Sequence, residues 1–275
     1  MTPAPFLDRD VEAQRLREAI LKREGLLIVG PAGIGKTALV SRVIDDLPRE
    51  VSRSTLYLSG LGGLQPLLRS LVRGLYEAND ETLRKRLHGQ GTRISFKEWL
   101  KGQPTSRLRG AAYRAMEGKH YWVFLDHIPP PTHAVAKVVR ELMWMRNTPV
   151  YLLSRGLAPV DVGQVGDLYW SEQQRLHLGP LPATAARTLF EVCIQRWGLA
   201  SFELDGFFEM VLSSSGRNPG AIIKMCGLAA DPRYQHGSQF KAKLIHIDYL
   251  MSLKPRNARA GRFTLPSVQA AYGGR

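Results

Sequence analysis

The chain has 275 residues, 44% of them hydrophobic and 23% charged, which is typical of a globular protein with one large domain or a core domain and a small one. Its two cysteines, Cys193 and Cys226, lie far apart, which disfavours a disulfide framework or a structural zinc site and favours a reducing compartment. The 38 Lys and Arg residues outnumber the 24 Asp and Glu residues, and the net charge of +14 favours a polyanionic partner, with nucleic acid first.

The positive charge is unevenly distributed, because residues 83–114 and 254–262 hold much of it. A generally arginine-rich proteome is the alternative source of this charge. The N-terminus has no basic segment followed by an apolar one, and no apolar run approaches the roughly 18 residues that a membrane span needs. We therefore expect a cytoplasmic protein that makes no membrane contact.

Strand and helix patterns alternate over the first 179 residues. The predicted strands are 25–30, 54–60, 121–127, 149–155 and 174–179. The predicted helices are 11–23, 36–47, 64–78 and 134–145, with two more around a loop at 102–105. Such alternation predicts an α/β fold with a parallel sheet covered by helices on both faces.

The strand pattern stops after "GPLP" at 179–182. Helices punctuated by Gly or Pro are predicted at 183–198, 206–216 and 219–230, with a fourth at 239–253. We therefore predict a sheet domain over 1–179, a small all-helical domain over 180–253, and a basic, flexible tail over 254–275.

A glycine-rich motif, "GPAGIGKT", follows the first predicted strand and matches GxxxxGK[ST] at every fixed position. The glycines let backbone N–H groups turn towards phosphate oxygens, and the following helix presents its positive N-terminus. The lysine reaches the β- and γ-phosphates, and the threonine hydroxyl helps to hold Mg²⁺. The predicted nucleotide-binding residues are Gly30, Pro31, Ala32, Gly33, Ile34, Gly35, Lys36, Thr37 and Ala38.

The magnesium carboxylate is expected at the end of another apolar strand. Asp126 ends the strand "YWVFLDH", at the edge where ligands of open α/β sheets gather. A solvated aspartate at a strand end is the alternative interpretation. Thr37 and Asp126 are therefore the predicted metal ligands.

In this order the motifs resemble those of the AAA+ and STAND P-loop ATPases, over residues 5–230. The resemblance implies a P-loop sheet domain followed by a helical lid, with ATP and Mg²⁺ as cofactors. Many of these ATPases carry, after the magnesium aspartate, a glutamate that polarises the attacking water, and here His127 takes that place. Because an unperturbed histidine titrates near pH 6.5, we expect slow hydrolysis or a switch that depends on occupancy.

Further segments extend the resemblance to other site residues. "FLDRDVEAQRLREAI" is similar to the family's N-terminal box, which implies that Arg9 lies near the adenine, although Asp8 replaces the usual glycine. "VYLLSR" resembles the sensor-1 strand, which implies that Ser154 and Arg155 face the γ-phosphate.

The second half of the resemblance concerns the lid. "LHLGPLPATAARTLF" is similar to the junction that enters the lid, and "SGRNPGAI" resembles the motif that brings Pro219 to the nucleotide base. Because Pro219 stands where many AAA+ proteins carry a sensor-2 arginine, the sequence favours the STAND or the origin-and-transposition branches. The motifs assign no arginine finger, although Arg140 and Arg146 belong to a plausible surface.

Two functions fit these observations about equally. The first is an ATP-dependent regulator that binds nucleic acid and recruits or activates an effector or recombinase-like partner protein, which the basic segments favour. The second is a signalling switch that binds ATP, oligomerises and recruits a separate effector without binding nucleic acid, which the lid motifs favour. Both imply a homo-oligomer.

Overall fold

The structure is a computed structural model, and it describes residues 8–59, 62–78, 95–126, 132–145 and 148–253. Four features of the sequence lie outside these ranges. They are the tail 254–275, the first part of the basic segment at 83–94, His127 and Arg146.

A five-stranded parallel sheet forms the centre of the described chain, in the order β2-β3-β4-β1-β5. Its strands are β1 (Leu26–Val29), β2 (Thr55–Ser59), β3 (Trp122–Asp126), β4 (Val150–Ser154) and β5 (Arg175–His177). Every residue of β1, β3 and β4 is buried, which suits strands covered on both faces, while the edge strand β2 alternates buried and partly exposed residues. The predicted parallel sheet is confirmed.

Helices cover both faces of the sheet. They are α1 (Asp10–Leu21), α2 (Lys36–Asp45), α3 (Arg49–Arg53), α4 (Leu64–Glu77), α5 (Phe96–Gly102), α6 (Thr105–Met116), α7 (His133–Arg140) and α8 (Pro159–Val162). A π-helical turn, Glu141–Met145, continues α7, and 3₁₀ turns follow α8 at Gly163–Leu168 and Glu172–Gln174. The helix predicted over 134–145 therefore changes hydrogen-bond pattern at residue 141.

Alternate strand residues enter two separate cores, since successive side chains of a strand point to opposite faces. Leu26 and Ile28 pack with α1 and α2, whereas Leu27 and Val29 pack on the side of α4, α6 and α7. In α4 the buried residues recur at helical spacing, which explains why this segment folds as an amphipathic helix. They are Leu67, Leu68, Leu71, Val72 and Leu75.

A third core lies within the helical part of the chain and runs from Leu181 to Tyr249. Its helices are α9 (Ala183–Arg196), α10 (Asp205–Ser215), α11 (Pro219–Ala229) and α12 (Ala242–Leu253). A two-stranded antiparallel hairpin, β6 (Gln235–His236) and β7 (Gln239–Phe240), was not predicted. The division at residues 179 and 180 stays a prediction, and we use "lid" for residues 180–253.

The turn between α10 and α11 has a local sequence cause. Gly216 ends α10 in the left-handed conformation, with φ of 53°, which glycine adopts without steric cost. Asn218 then caps α11, because its side chain accepts hydrogen bonds from the N–H groups of Gly220 and Ala221, and Pro219 occupies the first helical position. Across the described ranges, no helix is both long and apolar enough to cross a membrane.

Candidate functional site

The glycine-rich loop lies between β1 and α2, at the carboxyl edge of the sheet. Gly33 and Gly35 have φ angles of 80° and 102°, in the region that residues with a Cβ rarely adopt. At Gly30 a Cβ would lie 2.8 Å from Ile34 Cγ2 and 2.9 Å from the Leu178 carbonyl oxygen. The motif's glycines are therefore needed for backbone conformation and for close packing.

Helix α2 begins directly after this loop. Its N-cap residue is Gly35, and among the described residues no side chain caps the helix there. Because the first N–H groups of a helix have no partner within it, they are available to an anion, which the helix dipole also favours. This arrangement fits the phosphate groups of a nucleotide.

Lys36 extends back into the loop. Its ammonium donates hydrogen bonds to the carbonyl oxygens of Gly30, at 2.5 Å, and Pro31, at 3.1 Å. The side chain is buried rather than on the surface, and this burial lowers the pKa of Lys36, an effect that nearby Asp126 opposes and Arg155 reinforces. A phosphate beside Lys36 would favour its charged form.

The two predicted metal ligands are in direct contact. The Thr37 hydroxyl donates to Asp126 Oδ2 at 2.8 Å, and Asp126 is buried at the end of β3. Across the described residues there is no group of three or more His, Cys, Asp or Glu that could hold a metal ion. A hydroxyl and one carboxylate fit Mg²⁺, which is commonly bound through one or two carboxylates, water and substrate phosphates.

Tyr57 is a further member of the site that the sequence motifs do not mark. Its hydroxyl donates to Asp126 Oδ2, the oxygen that also accepts from Thr37. Partial burial, followed by the hydrogen bond to Asp126, raises the pKa of Tyr57, so the hydroxyl stays protonated and remains a donor. No pattern in the sequence marks Tyr57, because only the pairing of β2 with β3, in which Tyr57 lies beside Phe124, brings its hydroxyl to Asp126.

Ser154 and Arg155 lie next to the start of the loop. Ser154 pairs with Val29, its carbonyl oxygen accepts from the Gly30 N–H at 3.2 Å, and its hydroxyl donates to the Gly156 carbonyl at 2.7 Å. Arg155 is exposed, and its charge acts on Lys36. Their roles at a γ-phosphate stay a prediction.

Arg9, which was predicted to lie near the adenine, forms hydrogen bonds within the protein. It is buried, and its guanidinium donates to Glu12 Oε1 at 2.8 Å and to the Gly179 carbonyl at 2.5 Å. These bonds tie the start of α1 to the segment that leads into the lid. A role near the adenine stays a prediction.

The lid contacts the loop through one backbone and one side-chain hydrogen bond. The Gly220 N–H donates to the Gly33 carbonyl at 2.9 Å, and Asn218 Nδ2 donates to the Ala32 carbonyl at 2.9 Å. A Cβ on Gly220 would lie 2.8 Å from Gly33 Cα, so the two backbones touch. Pro219, the predicted residue, lies between the two that make these bonds.

The remaining loop residues differ in exposure. Pro31, Ala32, Thr37 and Ala38 are exposed, whereas Ile34 is buried in the core with α1 and α2. Ile34 is therefore a packing residue in this structure.

Solved structures of known proteins share this architecture, although no family model and no curated protein matches the sequence. A Walker-type ATPase of Pyrococcus abyssi is similar in structure, with a TM-score of 0.57 at 12% identity, over 90% of this chain and 73% of that one. Cdc6p of Pyrobaculum aerophilum has a TM-score of 0.59 at 11% identity, over 84% of this chain and 63% of its own.

A third similar structure is the RuvB Holliday junction branch migration motor of Thermotoga maritima, with a TM-score of 0.50 at 13% identity, over 89% of this chain and 68% of that one. At such identities the similarity establishes the fold, which is that of AAA+-type P-loop ATPases. The resemblance inferred from the motifs is thus confirmed at the level of the fold. Assignment to the STAND branch stays a prediction.

The contact between Tyr57 and Asp126 predicts an effect on magnesium. Mutation of a residue that orients a metal ligand typically lowers the metal affinity 10- to 100-fold. We therefore expect Tyr57→Phe to weaken Mg²⁺ binding about tenfold. Affinity for a nonhydrolysable ATP analogue without Mg²⁺ should be unchanged. Calorimetric titration of Mg²⁺ into the protein with the analogue measures this, and an unchanged Mg²⁺ affinity would show that Tyr57 does not orient the carboxylate.

Proposed function

We propose that this protein is a regulatory ATPase that binds ATP with Mg²⁺, hydrolyses it slowly, binds nucleic acid and recruits or activates a partner protein. The observation that carries the nucleotide-dependent part of the proposal is the contact of the lid with the nucleotide loop. Gly220 and Asn218 donate to carbonyl groups of the loop, at Gly33 and Ala32. A change in loop conformation on nucleotide binding therefore alters the hydrogen bonds at the start of α11.

The chain's own groups have distinct tasks in this proposal. The N-terminus of α2 and the Lys36 ammonium bind phosphate oxygens. To do so, Lys36 replaces its hydrogen bonds to the carbonyl oxygens of Gly30 and Pro31 with hydrogen bonds to phosphate. Thr37 and Asp126 hold Mg²⁺, and Tyr57 orients the carboxylate. When bound, Mg²⁺ neutralises phosphate charge.

Nucleic-acid binding is supported by charge. The chain carries a formal charge of +14, and phosphate contacts from Lys and Arg dominate such affinity. In the described part of the basic segment, 95–114, four cations are exposed on α5 and α6. They are Lys97, Lys101, Arg107 and Arg114, and they outnumber the single exposed glutamate of that part, Glu98.

A homo-oligomer and a separate partner complete the proposal. In this proposal the position of the lid depends on the bound nucleotide. A partner that binds one lid position more tightly than another therefore binds in a nucleotide-dependent way. The similarity to RuvB, a branch migration motor, supports a role on nucleic acid.

The alternative function is a nucleotide-dependent signalling switch that oligomerises and recruits an effector without binding nucleic acid. The contact between Gly220 and Gly33 favours it equally, since a lid that responds to nucleotide serves either function. Binding to nucleic acid is what separates the two.

The nucleotide assignment predicts the effect of Lys36→Ala. Because hydrogen bonds to charged groups contribute about 1.5–3 kcal/mol, we expect affinity for a nonhydrolysable ATP analogue to fall at least about tenfold. The fold should persist, since Lys36 bonds only to carbonyls of its own loop among the described contacts. Isothermal titration calorimetry measures the affinity, with Lys224→Ala, an exposed lysine of the lid, as control. Equal affinities in folded variants would contradict the assignment.

The nucleic-acid assignment predicts a strong salt dependence. Removal of residues 254–275 deletes Lys254, Arg256, Arg259, Arg262 and Arg275. We expect weaker duplex DNA binding and a smaller salt slope, by about 0.9 for each lost phosphate contact, with ATP binding unchanged. Anisotropy with labelled DNA across a salt series, with and without the ATP analogue, measures both quantities.

Two results would count against the nucleic-acid assignment. An identical salt slope with and without residues 254–275 would show that the tail makes no phosphate contact. Absence of DNA and RNA binding at low salt, with the analogue present, would favour the signalling switch.

A further inference from the structure

One helix next to the site presents an unusual exposed stripe. α7 follows Asp126 in the chain, and its outer side carries Lys137 and Arg140, while Trp144 stands on the π-helical turn beyond it. These three residues recur at intervals of three and four, the spacing of a single helix face. We call them the α7 stripe.

The side chains of the stripe are exposed and associated with one another. Trp144 is 69% exposed, although tryptophan is usually among the more buried residues. Arg140 Cζ lies 5.5 Å from the centroid of the Trp144 ring, a cation–π arrangement that orients the indole. No ion pair to Lys137 or Arg140 forms among the described residues, and α7 itself contains no Asp or Glu.

The opposite side of α7 fixes the stripe in place. Val135, Val138 and Val139 are buried in the sheet core, as is Leu142 of the π-helical turn. The nearby acid, Glu141, accepts from the Tyr113 hydroxyl at 2.5 Å and forms an ion pair with Arg109 at 3.7 Å. The Glu141 carboxylate is therefore paired with residues of α6 and does not neutralise the cations of the stripe.

We propose that the α7 stripe is a binding surface for single-stranded nucleic acid. Lys137 and Arg140 neutralise successive phosphates, and a base stacks on Trp144, the combination that positively charged, aromatic surfaces use on single strands. This inference rests on the proposed function and names the surface that serves it.

Other polyanions fit the stripe less well. A membrane-bound helix needs an apolar face in contact with lipid, but the apolar residues of α7 are buried in the core. An acidic peptide would pair with Lys137 and Arg140, but it would make no use of an exposed indole held by a guanidinium. A nucleic-acid base uses both features.

The test compares stripe variants in binding to labelled oligothymidylate. Base–aromatic stacking predicts that Trp144→Ala weakens binding about tenfold without changing the salt slope, and that Trp144→Phe retains most of the affinity. The double variant Lys137→Ala, Arg140→Ala should lower the salt slope by up to about 1.4, at about 0.7 for each phosphate on a single strand. Anisotropy across a salt series measures both, and thermal unfolding checks that each variant is folded.

Matched controls lie elsewhere on the surface. Trp170 is 80% exposed and Lys224 is exposed on the lid, and their alanine variants should bind oligothymidylate as the unmodified chain does. If the unmodified chain binds duplex DNA but no oligothymidylate at low salt with the ATP analogue, the stripe assignment is overturned and the proposed function stands. If it binds no DNA or RNA of either kind, the nucleic-acid part of the proposed function fails as well. If it binds oligothymidylate and the stripe variants bind equally, only the stripe assignment is overturned. Loss of binding to anionic vesicles in Trp144→Ala, with oligothymidylate binding intact, would also overturn it.

Discussion

The parallel pairing of β1 and β3 with β4 is the constraint on which the site depends. β4 separates the other two strands, so their ends lie about 9–10 Å apart at ordinary strand spacing. Thr37 nevertheless reaches Asp126 at 2.8 Å, because the loop and the start of α2 cross the end of β4. The Gly30 N–H anchors that crossing on the Ser154 carbonyl. The same edge thus brings the glycine-rich loop, the Asp126 carboxylate and Ser154 together.

The lid adds a contact of modest strength to this edge. Two hydrogen bonds, from Gly220 and Asn218, contribute about 0.5–1.5 kcal/mol each, which is comparable to the 1–3 kcal/mol of a typical allosteric coupling. A coupling of typical size is therefore large enough to make or break them. Any side chain at position 220 would collide with the Gly33 backbone, which makes this contact sensitive to a single methyl group.

Much of this arrangement was predictable, because it depends on local patterns. The strand and helix periods gave the parallel sheet, and the fixed spacing of the glycine motif located the loop and Lys36. Contacts between distant segments were not predictable. Tyr57 and Asp126 are 69 residues apart, and only the pairing of β2 with β3 brings them together.

The lid contact illustrates the same limit. The Asn-Pro pair marks the start of α11, but no local pattern indicates that Asn218 and Gly220 lie against a loop far earlier in the chain. The burial of Lys36 and the switch of α7 to a π-helical turn also follow from packing.

The central claim is that nucleotide in the loop alters the lid through the contact between Gly33 and Gly220. Hydrogen exchange of α10 and α11, with and without a nonhydrolysable ATP analogue, tests it directly in Gly220→Ala. Gly206→Ala is the control, since a Cβ at Gly206 meets nothing within 4 Å. We predict that the analogue changes lid protection in the unmodified chain and in Gly206→Ala, and that Gly220→Ala binds the analogue without this change. An equal lid response in Gly220→Ala would contradict the account.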